Sequence, residues 1–231
     1  MNDDRCVVSF GRGYNFERGL VRLEEGVRKF SNVPFFGYRE YPAGCPPHEE
    51  SPYAFKYFCI KECYDKGFRN IIWCDASVVI QQSLEDLFSI IEIRGYYFVK
   101  YGDSMGEWCH DRALTTLGIT RDKSMELPMI VATNFGLNLN KSYPKRLLNK
   151  MMELAVDGIT FPGSYTNAEE MCSKHPRVLG HRHDQTALSV ISTRCGMMEC
   201  DTNESKPWFI HDREYVKDGV ECTCKDVDMS E

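Results

Sequence analysis

Residues 70–77 read Asn-Ile-Ile-Trp-Cys-Asp-Ala-Ser. The apolar run Ile71 to Cys74 stops at Asp75, and Val78-Val79-Ile80 resume the pattern. A short apolar run bounded by Gly67 and Ser83 predicts a buried central strand. Ligands in open α/β sheets bind just past the carboxyl ends of such strands, where Asp75 falls. A carboxylate is rarely buried without a partner. Asp75 therefore has two readings: a cap on the next turn or helix, or a ligand of a metal ion or a ribose.

Upstream, Cys6 to Phe10 is a second strand-like run, followed by Gly11-Arg12-Gly13. Leu20, Leu23, Val27 and Phe30 then share one helical face, with Arg18, Arg22, Glu25 and Arg28 largely elsewhere. Val33 to Tyr38 is the next strand, so the chain opens as a βαβ unit with a right-handed crossover. A strand, two glycines and a helix invite a dinucleotide-binding reading. The third glycine of that fingerprint belongs at position 16, where Phe16 stands. Glu40 is the candidate ribose-binding acid. The alternative is that Gly11 and Gly13 only permit a tight turn. Pro42, Gly44, Pro46, Pro47 and Pro52 mark a loop at the carboxyl edge of the sheet. A helix is predicted from about Pro52 to Gly67. Its stripe of Tyr53, Tyr57, Ile60 and Tyr64 reads as core.

Downstream, Ser83 is the predicted N-cap of a helix that ends at Gly95. Tyr96 to Tyr101 reads as a strand, and residues 102–126 as a mobile or short-helical connection. Met129 to Asn140 reads as one strand. Gly136 within it marks a bulge or a close approach of backbone to ligand. A helix from about Tyr143 to Asp157 and a long loop over 158–180 follow, with a short helix at 167–172. His181-Arg182-His183-Asp184-Gln185 opens another helix, through Ala187, Leu188 and Ile191. Two histidines, an arginine and an acid at a helix start favour a ligand-facing role, because helix N-termini attract anions. Met197 to Cys200 is a last short strand, and Lys206-Pro207-Trp208-Phe209-Ile210-His211 follows it.

The 231 residues, 42% of them hydrophobic, suit one large domain, placed at 1–215 with a polar tail at 216–231. A formal net charge of −6 lacks the basic footprint of a nucleic-acid binder. No apolar run approaches the roughly 20 residues of a membrane span. The polar, acidic start is unlike a signal peptide, so a cytoplasmic location with reduced thiols is expected for the 11 cysteines. Cys59 and Cys63 lie at i, i+4 without a partner pair at zinc spacing, and Cys222-Thr-Cys224 lies in the tail.

This order of parts resembles the nucleotide-sugar glycosyltransferases of the GT-A fold over most of residues 5–213. The parts are the βαβ opening, an aromatic-rich helix, a strand ending in Asp75-Ala76-Ser77, a Gly-containing strand, the His-Asp-Gln helix start and a C-terminal His. The chain looks closest to the small sugar-transferase domains of large algal DNA viruses, which would place it in the host cytoplasm. The resemblance implies a single α/β, Rossmann-like domain with a mostly parallel sheet flanked by helices. It implies transfer of a sugar from a UDP-sugar donor to a glycan or glycoprotein acceptor, with Mn²⁺ or Mg²⁺ as cofactor. Asp75 then matches the metal- or ribose-binding acid of the family's Asp-X-Asp motif. Ser77 replaces the second acid, which weakens the expected metal site. His211 resembles the C-terminal metal-binding His of glycogenin-like members. Those members carry Lys-Pro-Trp after the His, whereas Lys206-Pro207-Trp208 precedes it here, and Lys206 is carried over as a phosphate ligand. Ser9, Phe10, Gly11 and Arg12 match the nucleotide-holding end of the first strand. Asn134, Phe135 and Gly136 match the strand lining the sugar or acceptor pocket. Asp184 and Gln185 match the region touching the donor sugar.

A carboxylate about 4 Å from a phosphate repels it by roughly 4 kcal/mol at an effective dielectric of 20, so Asp75 can face a diphosphate only across a cation. Arg12, Arg182 and Lys206 are the available protein cations. Inversion would need a base on the acceptor hydroxyl, and Asp184 and His183 are the candidates; glycogenin-like features lean toward retention. The rivals are a nucleotide-sugar-binding domain without turnover, an NAD-dependent oxidoreductase and a nucleotidyltransferase.

Overall fold

The computed structural model describes residues 4–197 and 208–212. The predicted opening unit forms: β1 (Arg5–Phe10), α1 (Tyr14–Phe30) and β2 (Phe35–Tyr38), with β1 and β2 parallel. Gly13 makes the turn into α1 at φ 89°. Gly11 is needed for closeness, since a Cβ there would lie 2.6 Å from the backbone oxygen of Phe16. The Gly13 N–H donates to Glu17 Oε1 at 3.2 Å. That carboxylate in the first turn of α1 would repel a pyrophosphate, which counts against the dinucleotide reading.

After the proline-rich loop comes α2 (Phe55–Asp65), starting later than Pro52 because residues 51–54 turn first, with Tyr53 at φ 65°. Next is β3 (Asn70–Cys74), buried at every position as its apolar run predicts. β4 (Val78–Ile80) leads to α3 (Glu85–Arg94). Ser83 does not cap α3: Leu84 holds the N-cap position, and Ser83 Oγ accepts only the Glu85 N–H at 3.3 Å.

The predicted strand Tyr96–Tyr101 divides into β5 (Tyr96–Tyr97) and β6 (Lys100–Ser104). The connection to residue 126 is ordered: a 3-10 turn at Met105–Trp108, then α4 (Asp111–Leu117) and α5 (Arg121–Met125). Met129–Asn140 likewise divides, into β7 (Pro128–Ile130) and β8 (Asn134–Asn138). The cause is a change of partner. β6 pairs with β7, whereas β5 and β3 pair with β8, and an apolar run carries no mark of where pairing switches. Then come α6 (Ser142–Ala155), a 3-10 turn at Ala168–Glu170 within the long loop, and α7 (His183–Arg194). The last described strand is β9 (Phe209–His211), antiparallel to β4. Of the predicted strand 197–200 only Met197 is described, outside any strand; Lys206 and the tail lie outside the described residues.

The main sheet has the order β2-β1-β3-β8-β5. Its β1 pairs in parallel with β2 and β3, and β8 runs antiparallel to both β3 and β5. The fold is thus mixed α/β, with a mainly parallel central sheet and flanking helices. Period-2 alternation sends Cys6 and Val8 to one core and Val7 to the other. The first core lies under α2, α6 and α7, the second under α1 and α3. No described helix is long and apolar enough to cross a membrane. The eight described cysteines are free thiols, mostly buried.

Gly136 has a packing reason. A Cβ there would lie 2.2 Å from Cδ1 of Ile91, so the glycine admits α3 onto β8. Gly136→Ala is expected to destabilise the protein by about 1–3 kcal/mol, as overpacking does. Ile91→Val removes the clashing methyl and should recover part of that loss in chemical denaturation; additive losses would contradict the close approach.

Candidate active site

The carboxyl end of β3, the segment leading into β8 and the start of α7 converge on Lys56. This residue lies in the first turn of α2, and its side chain is only 2% exposed. Its Nζ is 3.2 Å from Asp75 Oδ1 and 3.3 Å from Asp184 Oδ2, and it donates to the Ala132 carbonyl at 2.9 Å. All three ammonium hydrogens therefore have acceptors. Burial works against the charge, but the two carboxylates outweigh it and hold the lysine above its ordinary value. Lys56 belongs to the stripe of Tyr53, Tyr57 and Ile60 by its i, i+3, i+4 spacing, and sequence reasoning passed over it. A lysine on an apolar face was the signal.

The two acids differ. The Asp75 side chain is 22% exposed and its Oδ1 also accepts Trp73 Nε1–H at 2.7 Å. Asp184 is sealed, with Tyr57 donating to its Oδ2 at 3.3 Å. Burial pushes Asp184 up to about 6, aided by repulsion from Asp75 and opposed by Lys56. Two carboxylates around one ammonium leave a net negative charge.

Over Lys56 lies the Tyr53 ring, 4.8 Å from Nζ, and the Tyr53 hydroxyl meets that of Tyr165 at 2.5 Å. Tyr53 and His183 both have left-handed backbones, at φ 65° and 49°. Non-glycine residues hold that conformation at about 1–3 kcal/mol each, and such strain collects at functional sites. The His183 Nδ1–H donates to the Phe161 carbonyl at 2.8 Å, and burial lowers its ring to about 4.

Ser77 and His211, far apart in sequence, are brought together. Val78 faces His211 in the β4–β9 ladder, and Ser77 Oγ lies 2.6 Å from His211 Nε2. Arg22 of α1 ties this corner by donating to Asp212 Oδ2 at 2.7 Å and to the Ser77 carbonyl at 3.2 Å. Ala76 is buried in the turn between Asp75 and Ser77. Trp208 is core, packed edge-on against Tyr97.

At the end of β1, Phe10 stacks on Tyr41 and Phe55 with centroids 5.1 and 4.3 Å apart, and the Arg12 guanidinium lies 5.3 Å over Tyr41. Ser9 is fully buried and its Oγ has no hydrogen-bond partner. Asn134 pairs with Cys74 in the ladder, immediately beside Asp75. Gln185 is half-buried, one residue past Asp184. Arg182 lies over Trp108, its Cζ 3.7 Å from the ring centroid.

Among the described residues, no group of three or more His, Cys, Asp or Glu is placed to hold a metal ion. Asp75, Ser77 and His211 offer a carboxylate, a hydroxyl and an imidazole, with one oxygen of Asp75 already engaged by Trp73 and Lys56. Ser77 Oγ and His211 Nε2 already engage each other, so these residues would suit Mg²⁺ or Mn²⁺ only within a shell completed by phosphate oxygens and water.

No family model matches the chain, and no curated protein does. One solved structure that it resembles is mouse xyloside xylosyltransferase 1 in its apo form, at 8% identity, covering 86% of this chain and 84% of that one, with a TM-score of 0.47. At that identity and TM-score the likeness decides nothing about fold family, donor, acceptor or metal.

Proposed function

We propose that this protein is a glycosyltransferase that moves a sugar from a nucleotide-diphosphate donor, a UDP-sugar foremost, to a hydroxyl of a glycan or glycoprotein. The observation that carries the reading is Lys56, sealed between Asp75 at the end of β3 and Asp184 at the start of α7. It joins one cation and two unlike carboxylates at the sheet edge where α/β folds bind ligands.

The roles follow from position at the sheet edge. Asp75, partly open to solvent, faces the diphosphate across a cation. Asp75, Ser77 and His211 would hold Mn²⁺ or Mg²⁺, and that ion would offset the charge that grows on the leaving diphosphate. The Phe10–Tyr41 platform with Arg12 offers a flat surface and a cation to the nucleotide. Asp184, fixed by Lys56 and Tyr57, addresses the sugar. It takes the acceptor proton in an inverting reaction, or steadies the cationic anomeric carbon in a retaining one. Retention is the course proposed, on the resemblance to glycogenin-like enzymes.

A second reading has support in one residue. Ser77 stands where a second acid would strengthen a metal site, which suits a domain that binds nucleotide sugar without turning it over. Release of free UDP from a UDP-sugar separates the two.

Thermal unfolding with UDP, GDP and NADH, each with and without Mn²⁺, tests the binding half. A ligand at 100 times its dissociation constant adds about 2.7 kcal/mol. A shift with UDP that grows with Mn²⁺ and is lost in Asp75→Ala is the expected result. A shift with NADH alone would sink the reading.

A further inference from the structure

Three histidine rings pack against one another beside the charged cluster, one pair tilted and the other edge-on. The rings of His110 and His181 lie 4.2 Å apart between centroids, and those of His181 and His183 lie 5.3 Å apart. All three residues are buried. Each ring contacts one of three consecutive carbonyls: His181 Nε2 that of Thr160 at 3.0 Å, His183 Nδ1 that of Phe161 at 2.8 Å, and His110 Nε2 that of Pro162 at 2.9 Å. A carbonyl only accepts, so each of these nitrogens carries the hydrogen. At two rings the other nitrogen accepts a backbone N–H: His110 Nδ1 from Ala113 at 3.0 Å, and His181 Nδ1 from His110 at 3.5 Å. A second proton on either ring would face that N–H.

The segment held in this way forms a wall of the site. Tyr165 follows it, packs on His183 at 4.7 Å and reaches Tyr53, which covers Lys56. Gly163 lets the segment approach, since a Cβ there would lie 2.5 Å from the His181 ring.

We propose that His110, His181 and His183 act as one proton-sensitive clamp, which holds residues 159–166 against the site when neutral and releases them when protonated. The clamp goes beyond the transfer reaction and holds whatever chemistry the site performs.

The charged surroundings do not compensate a protonated ring. Asp111 beside His110 is paired with Arg121 at 2.6 Å, and Arg112 opposes a positive ring. Arg182 and His48 oppose one at His183, and the rings oppose one another. Asp157 is engaged by the N–H groups of Ile159 and Thr160 and by the Thr160 hydroxyl. Asp184 is tied to Lys56 and Tyr57. Burial, the largest cause at each ring, lowers all three. The neutral clamp therefore contributes stability that is full above about pH 6.5 and is lost as pH falls toward the folded values. Asp184 titrates with the opposite sign in the same window, so global stability masks the effect and a local probe is needed.

Hydrogen exchange of the full chain at about pH 7 and about pH 4.5, corrected for intrinsic rates, is that probe. The expected result is at least a tenfold loss of protection over 157–167 at the lower pH, with β1 and β3 unchanged. His181→Gln can still donate to the Thr160 carbonyl but cannot gain a proton, and should flatten the response. Unchanged protection, or equal loss across β1 and β3, overturns the clamp. If the variant does not fold, imidazole titration of the unmodified protein by NMR decides. Three depressed values support the clamp, and ordinary values near about 6.5 overturn it.

Discussion

Replacing Lys56 by Met is expected to cost the fold about 3–5 kcal/mol at neutral pH, the usual result of removing one partner from a buried ion pair. The residue is sealed, and two carboxylates and the Ala132 carbonyl lose their donor together. A methionine keeps the apolar stem and removes only the charge, so packing is not the cause. The loss should be larger at about pH 8 than at about pH 5, because Asp184, already raised to about 6, can take up a proton when its cation is gone. Adding Asp184→Asn to Lys56→Met should return part of the stability by leaving one acid instead of two. Urea denaturation of the unmodified protein and both variants measures this. Equal losses at both pH values, with no recovery in the double variant, would show that the cluster is not held by charge.

Asp184→Asn alone is expected to lower donor turnover by about 10²–10³-fold, the usual result of removing a group aimed at developing charge, while leaving the affinity for UDP nearly unchanged. The asparagine keeps the shape that Tyr57 and Lys56 surround and removes the negative charge. In the unmodified protein, turnover should rise with pH through about 6 as Asp184 ionises. Below that point it should fall tenfold per unit, and the variant should lack this limb. The stability term has the opposite sense. The native carboxyl holds its proton more tightly than the unfolded chain, so its contribution is present at low pH and is lost between about pH 4 and 6. A variant with unchanged turnover would remove Asp184 from the chemistry.

Much of the frame was legible because local chemistry carried it. The run Ile71–Cys74 is buried at every position, since apolar side chains without alternation have no solvent face to choose. The 3.6-residue spacing of Leu20, Leu23 and Val27 placed α1 correctly. Asp75 and Asp184 could be singled out because an acid that ends a buried strand, and an acid that opens a buried helix, are both costly to hide. Elsewhere a local signal had two causes. Gly136 suggests a bulge or a ligand approach in the sequence, and in the structure it admits Ile91. Met129–Asn140 was read as one strand and divides where the pairing partner changes.

By itself the sequence determined that β3 is buried, where α1 turns its apolar face, that the chain opens as a parallel βαβ unit, and which acids lie at element ends. These follow from side-chain period and turn chemistry, which act over a few residues. Only the tertiary structure decided that Lys56 belongs between Asp75 and Asp184, that His211 meets Ser77 across 134 positions, and that three histidines share consecutive carbonyls. Each of these rests on strand order and helix docking, which the summed burial of the whole core selects, and no local pattern encodes the distance between residues so far apart in the chain.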